Sequence, residues 1–275
     1  MAKRLGVQGM EQKRFAVIGA DERQAAAGRA LARAGYRVDG PEEIALTDYI
    51  LLPLPLDEAR TPLAELLRAA KPGTVALGGM LSAQAQAIAR EAGVELLDYF
   101  AREELTIRNA IPTAEGCIGL LMRERKRTLF GSALLLTGFG PVGQALGVRL
   151  TALGAEVTVA ARRPAQRALA ESFGLRSLPL SRLASAAPVF DTVVNTIPAM
   201  VLTEEVLTRL RSGSLVIDLA SRPGGTDFEA ASRLGHRAIH ALSLPAVCAP
   251  EMAGEAVAQT VCEILRERAE QEGAR

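Results

Sequence analysis

Cysteine is scarce in this chain. Cys117, Cys248 and Cys262 are three, an odd number, and no two have C-x-x-C spacing. That excludes a disulfide framework and a thiolate zinc site, and it speaks for reduced thiols in a cytosol. Histidine is scarcer still: His236 belongs to a Gly-His-Arg turn and His240 to an apolar strand, neither with a carboxylate at readable spacing. Both read as satisfied structural residues rather than proton shuttles. Acids and histidines do not cluster at ligand spacing, so no metal is expected. A dominant charge is missing too. Lysine plus arginine number 32 against 31 acids, a net charge of +1, so no global field points to nucleic acid or membrane, and local basic residues must carry any anion binding. Long hydrophobic runs are absent: the longest candidate, Tyr49 to Leu56, is eight residues with two prolines, far below the roughly 20 of a spanning helix. The basic start from Met1 to Gly6 leads to Gln8 and to Glu11 through Arg14 before any apolar run, so no secretory segment is expected. These absences leave a soluble, cytoplasmic protein as the expectation.

What the chain does have is glycine at chosen positions. Ala133-Leu-Leu-Leu-Thr-Gly138-Phe139-Gly140-Pro141-Val142-Gly143 runs an apolar strand into G-x-G-x-x-G, a helix follows from Gln144 to Leu153, and Gly154 to Arg163 supplies the next strand. In that order the pattern predicts a dinucleotide site. The first glycine allows the tight turn, the second lets the backbone approach the pyrophosphate, and the third lets helix pack on strand. Position 162, nineteen residues after Gly143, is Arg and is followed by Arg163, where an NAD site places a carboxylate for the ribose 2′-OH. Two guanidiniums suit a 2′-phosphate, so NADP is the expected cofactor; the plainer reading is a solvated pair ahead of the turn at Pro164. The loops after the strands Asp191 to Thr196 and Ser214 to Asp218 add Thr196, Ile197, Pro198, Ala220 and Ser221 to the cofactor set.

An earlier unit mirrors this one. Phe15 to Gly19 reads as a strand, Gln24 to Ala34 as a helix and Gly35 to Val38 as the next strand, with Gly19 sixteen residues before Gly35 as Gly138 is before Gly154. Gly19-Ala-Asp21-Glu-Arg23 replaces the glycine fingerprint, so side chains project where a cofactor would lie, and the unit reads as a substrate domain. Strand candidates follow at Tyr49 to Leu54, Thr74 to Leu77 and Val94 to Leu97, with helices at Pro62 to Ala70 and Ser82 to Glu91. The expected fold class is therefore α/β: two doubly wound Rossmann-like domains with parallel sheets, joined by interdomain helices. The expected boundaries are 1–126 for the substrate domain, 127–250 for the NADP domain and 251–275 for a terminal helix folding back on the first domain. The connecting helix is read from Thr113 to Arg127.

Four stretches carry a resemblance. They are Asp98 to Gly116, with Asn109-Ala-Ile-Pro112-Thr113-Ala-Glu115-Gly116 at its end; Gly138-Phe-Gly140; Leu219-Ala220-Ser221-Arg222-Pro-Gly224-Gly225-Thr-Asp227-Phe; and Leu244 to Pro250. The chain resembles the A-type member of bacterial dipicolinate synthase from Phe15 to the final helix, with Ala20 in place of an expected second glycine. The resemblance implies a sporulation oxidoreductase in the mother-cell cytoplasm. Its implied reaction is oxidation of a dihydrodipicolinate-level lysine-pathway intermediate to dipicolinate, with the flavoprotein-like B-type member of the synthase for partner in a homo- or hetero-oligomer.

Read from the residues themselves, a small dicarboxylate fits. Asn109, Thr113 and the free N–H groups of a helix opening after Pro112 would cradle a carboxylate, or Thr113 would simply cap that helix. Glu115, at the wrong spacing for a capping box, is left to orient substrate or take a proton. Arg222, with Asp227 in the same motif, is the sharpest catalytic candidate. It follows a strand at its carboxyl end, and Gly224 and Gly225 let the loop come close to a ligand; the plainer reading pairs Arg222 with Asp227 or Glu229 on the surface. Asp21 and Arg23 read either as a local ion pair at a helix start or as a wall of the substrate cleft, and Pro53 stiffens the loop beside them. Two other classes stay open: a dehydrogenase of the shikimate or 2-hydroxyacid type, and a non-catalytic nucleotide-binding subunit.

Overall fold

The computed structural model describes residues 12–274, so the reading of the N-terminal segment lies outside the described residues. The chain divides into two compact units. One runs through Leu105 and is completed by the segment from Pro250 on, and the other is Thr106–Ala249. The division therefore falls some twenty residues before the expected boundary at 126/127.

The first unit alternates strand and helix: β1 (Arg14–Val17), α1 (Glu22–Arg33), β2 (Arg37–Asp39), β3 (Tyr49–Leu51), α2 (Leu63–Ala69), β4 (Val75–Gly78), α3 (Ala83–Ala92) and β5 (Glu95–Asp98). All pairs are parallel, in the order β2-β1-β3-β4-β5. That is the flavodoxin-like doubly wound order. Short strands buried on both faces need apolar residues at consecutive positions. Phe15 and Leu51 face one helix layer with Leu31 and Leu77, while Ala16, Ile50 and Leu52 face the other with Leu63 and Ala85. Side-chain caps start the helices: Asp21 Oδ1 accepts from Gln24 N at 2.8 Å and Ser82 Oγ from Ala85 N at 2.9 Å.

Helix α4 (Glu103–Glu124) corrects the sequence reading. Its connecting segment does not open after Pro112; the helix begins at Glu103, and Pro112 lies inside it. A proline removes one N–H from the ladder, but the buried residues Leu105, Ala110, Ala114, Cys117 and Leu121 continue at helical spacing through it. Packing of that stripe outweighs the missing bond.

The second unit continues with β6 (Ala133–Thr137), α5 (Pro141–Ala152), β7 (Glu156–Ala161), α6 (Pro164–Ser172), β8 (Arg176–Pro179), α7 (Leu183–Ala186), β9 (Thr192–Asn195), α8 (Glu204–Arg209), β10 (Leu215–Asp218), α9 (Phe228–Arg233), β11 (Arg237–His240) and α10 (Leu244–Cys248). Its six parallel strands lie in the order β8-β7-β6-β9-β10-β11, which is the dinucleotide-binding order 3-2-1-4-5-6. The crevice of such a sheet opens at the carboxyl ends of β6 and β9, where the strand order reverses. Leu134 and Leu136 point to the layer holding Leu146, Ala114 and Cys117, and Leu135 to the layer holding Leu202 and Ala230.

The last helix, α11 (Pro250–Gly273), belongs to the first unit. Val257, Val261 and Leu265 share a core with Phe15, Leu31 and Leu105. The helices α1 and α11 approach closely at Gly254, where an added Cβ would come within 2.7 Å of Ala27 N. Arg33 adds an ion pair to Glu255 at 2.6 Å. Among the described residues, no helix is long and apolar enough to cross a membrane.

Candidate functional site

The glycines of the fingerprint are each accounted for by space. Gly138 has φ +89°, and a side chain there would run into Thr196 Oγ1. At Gly143 a Cβ would stand 2.6 Å from Gly138 O, so helix α5 could not sit this close to the turn. Gly140, by contrast, would direct a Cβ into open space. That space is a cavity of about 560 Å³ at the N-terminus of α5, lined by Gly138, Gly140, Pro141, Val142, Gly143, Arg162, Arg163, Thr196, Ile197 and Pro198 among others. A dinucleotide pyrophosphate fits such a place, because the helix start offers unpaired N–H groups and the missing side chain leaves room for it. Phe139 differs from the rest of the expected cofactor set: its ring is buried in the core, 6.2 Å from that of Phe173, so only its backbone faces the turn.

Five lining residues carry no motif. Thr106, Gln166, Leu180, Ala199 and Val201 come from α4, α6 and two loops, and no spacing rule connects them to the fingerprint. Arg162 and Arg163 are exposed at the end of β7. Arg167 steadies their turn by donating to the carbonyls of Ala161 at 3.1 Å and Arg162 at 3.0 Å.

Below the cavity lies a polar network that the sequence reading missed. Asp218, fully buried at the end of β10, accepts from Asn195 Nδ2 at 2.9 Å, Ala220 N at 3.0 Å, Gly225 N at 2.8 Å and Thr226 Oγ1 at 2.7 Å. Asn195 Oδ1 in turn accepts from Thr137 Oγ1 at 2.6 Å and Ile197 N at 3.0 Å. A buried carboxylate with four donors is satisfied without a cation, and here it folds the Arg222 loop back onto the strand ends. The loop fits no side chain at Gly225, where a Cβ would be 2.5 Å from the carbonyls of Ile197 and Ala199. Gly225 O also accepts from Val201 N and Leu202 N at 3.0 and 2.9 Å. The loop thus packs against the segment that lines the cavity. A readable signal existed: β9 and β10 are apolar strands that each end in one polar residue, Asn195 and Asp218.

Arg222 itself is exposed, joined to Pro223 by a cis peptide, and makes no ion pair among the described residues. Asp227 is occupied as the cap of α9, accepting from Ala230 N at 2.9 Å. Ala220 N donates to Asp218 Oδ1 and Ala220 O accepts from His240 on β11, and Ser221 O accepts from Gly224 N at 2.9 Å. His240 Nε2 donates to Ala220 O at 2.8 Å with the ring stacked on Phe228, and His236 Nε2 donates to Leu207 O at 2.9 Å. Both imidazoles are thereby tied to backbone carbonyls.

The carboxylate cradle after Pro112 is not formed. Thr113 lies mid-helix and donates its hydroxyl to Asn109 O at 2.6 Å, so no unpaired helix-start donors exist there. Asn109 keeps a buried Oδ1 without a hydrogen-bond partner. Glu115 is exposed, 3.7 Å from Arg149. In the first unit Asp21 is the cap of α1, and buried Arg23 donates to Leu54 O, with Asp21 at 3.6 Å and its own Nε unpartnered. Pro53 Cβ lies 3.5 Å from where a side chain on Gly19 would stand. Burial pushes the thiols of Cys117, Cys248 and Cys262 above their ordinary range, which leaves no cysteine poised as a nucleophile.

Residues 113–222 match the family model described as the NAD-binding domain of D-isomer-specific 2-hydroxyacid dehydrogenases. This match supports an oxidoreductase with a nicotinamide cofactor. Over 199 residues the chain is 37% identical to the A-type member of dipicolinate synthase from Bacillus subtilis (strain 168), covering 72% of this chain and 67% of the relative. The chain belongs to this dipicolinate synthase family. Two solved structures agree. The family's counterpart from Bacillus halodurans superposes with a TM-score of 0.84 at 29% identity, over 94% of this chain and 99% of that one. The counterpart from Bacillus subtilis does so at 0.82 and 30%, over 95% and 98%.

Proposed function

We propose that this chain is the dinucleotide-binding subunit of a dipicolinate synthase, taking NADP and oxidising a dihydrodipicolinate-level dicarboxylate to dipicolinate. The observation that carries the reading is the cavity at α5, whose rim bears Arg162 and Arg163 instead of a carboxylate. When bound, the nicotinamide supplies the hydride acceptor; one proton leaves the ring with the hydride, and the product is an aromatic pyridine. The residues of the chain therefore have mainly to bind and orient. Gly138, Gly140 and Gly143 would hold the pyrophosphate, with Arg162 and Arg163 on the 2′-phosphate. Arg222, fixed by the Asp218 network, would hold one substrate carboxylate. Asn109, whose buried Oδ1 is still unpartnered, would supply a further polar contact. A synthase whose relatives are named as one lettered component supports a second component as partner, and the same kinship supports a sporulation role in the mother-cell cytoplasm.

The test is direct. Fresh product of the lysine-pathway aldolase and NADP⁺, given to this chain with its partner protein, should yield dipicolinate by ultraviolet absorbance in step with NADPH, with each protein alone as a control. Production of NADPH from shikimate or a 2-hydroxy acid without dipicolinate would replace this reading by the dehydrogenase one. Cofactor choice has its own test. Arg162→Asp should weaken NADP binding at least tenfold in calorimetry and turn the preference toward NAD, since each charge-assisted bond is worth roughly 1.5–3 kcal/mol. A wild-type chain that binds both dinucleotides equally would remove the 2′-phosphate assignment.

A further inference from the structure

The connection from α4 to β6 forms a ridge on the second unit, at the end of the sheet where strands begin. Ala133 opens β6 and Thr192 opens β9, so this ridge lies a full strand length from the carboxyl ends that carry the dinucleotide cavity. Two recesses adjoin it. One, of about 630 Å³, is lined by residues that include Arg125, Arg127, Phe130, Asp191 and Arg211; the other, of about 550 Å³, by residues that include Met122, Lys126, Arg127, Phe130 and Leu153. Phe130 is 79% exposed, Met122 58%, Val189 54% and Leu153 40%. Large apolar side chains gathered beside arginines compose the anchors of a protein interface rather than a solvated surface.

Charge indicates what covers it. Lys126, Arg127 and Arg211 make no ion pair among the described residues; Arg211 Nε donates only to Pro188 O, at 3.2 Å. The one carboxylate lining the larger recess is already taken. Arg125, with its side chain 6% exposed, donates to Asp191 Oδ1 at 2.9 Å and to Ser132 Oγ at 2.8 Å, which fixes the base of the ridge and leaves the outer cations unmatched. A two-fold contact between copies of this face would set those cations against one another. We propose that the ridge is the docking surface for the second component of the synthase, which brings carboxylates to Arg127 and Arg211 and apolar side chains to Phe130 and the recesses. This rests on the reading that the chain works with such a partner.

The experiment mixes the full chain with the purified second component and reads the affinity by interferometry and the stoichiometry by light scattering. Phe130→Ser and Arg127→Glu should each weaken the complex at least tenfold, added salt should weaken the wild-type complex, and thermal melting and dinucleotide binding should stay unchanged. Arg90→Glu, an exposed charge reversal on α3, should leave the complex intact. A complex indifferent to both ridge variants overturns the proposal. So does self-association of the chain that both variants abolish while the complex survives, which would make the ridge a face between copies. A wild-type chain that never binds the second component defeats the partner reading itself, before any variant is compared.

Discussion

Asp218→Ala is expected to cost roughly 3 kcal/mol or more of stability, because it strands four donors in a buried place, each worth about 1–3 kcal/mol when left unsatisfied. The four are Asn195 Nδ2, Ala220 N, Gly225 N and Thr226 Oγ1. Non-additivity keeps the total below their sum. Urea unfolding followed by circular dichroism measures it. Asp218→Asn should fall between, since an amide oxygen can still accept from Asn195 and Ala220 while its nitrogen faces the Gly225 N–H. A loss under about 1 kcal/mol for the alanine variant would mean that the loop holds its shape without this carboxylate.

Arg222→Lys is expected to fold like the wild type and to lose between ten- and a hundredfold in kcat/KM. Fold and cofactor binding are spared because Arg222 is exposed and has no ion pair among the described residues. Activity is not, because a point charge cannot offer a carboxylate the paired donors of a guanidinium; the difference is about 1.5–3 kcal/mol of charge-assisted bonding. Steady-state kinetics at saturating NADP decide it. Wild-type turnover in the lysine variant would move the carboxylate site away from this loop.

The nucleotide half of the molecule was legible in the sequence because its constraints are local. Gly138 needs glycine for its own φ of +89° and Gly143 for the carbonyl of Gly138 five residues before it, and the apolar strands on either side fix their places in the sheet. The doubly wound order followed from the alternation of strand and helix. The Pro112 helix start was misread for the opposite reason. A proline is a local signal for a beginning, but whether a helix tolerates one inside is decided by tertiary burial of Leu105, Ala110, Ala114 and Cys117, which a window around Pro112 does not contain. The Asp218 network was invisible for a similar reason: its members lie on three strands and a loop, between positions 137 and 226, and only the sheet order brings them together. Arg125 is a comparable case, since its partners Asp191 and Thr192 begin a strand more than sixty residues away.

Helix α11 gives the two units different histories during synthesis. The whole of Thr106–Ala249 leaves the ribosome before Val257, Val261 and Leu265 do. The nucleotide unit can therefore close its core while the first unit, whose strands were made earliest, still lacks one wall of its own. Until that wall arrives, Phe15, Leu31 and Leu105 present an open apolar face, the kind of surface that chaperones hold and that aggregates at high concentration. A chain truncated after Ala249 should accordingly show protease resistance in the later-made unit and sensitivity in the earlier one.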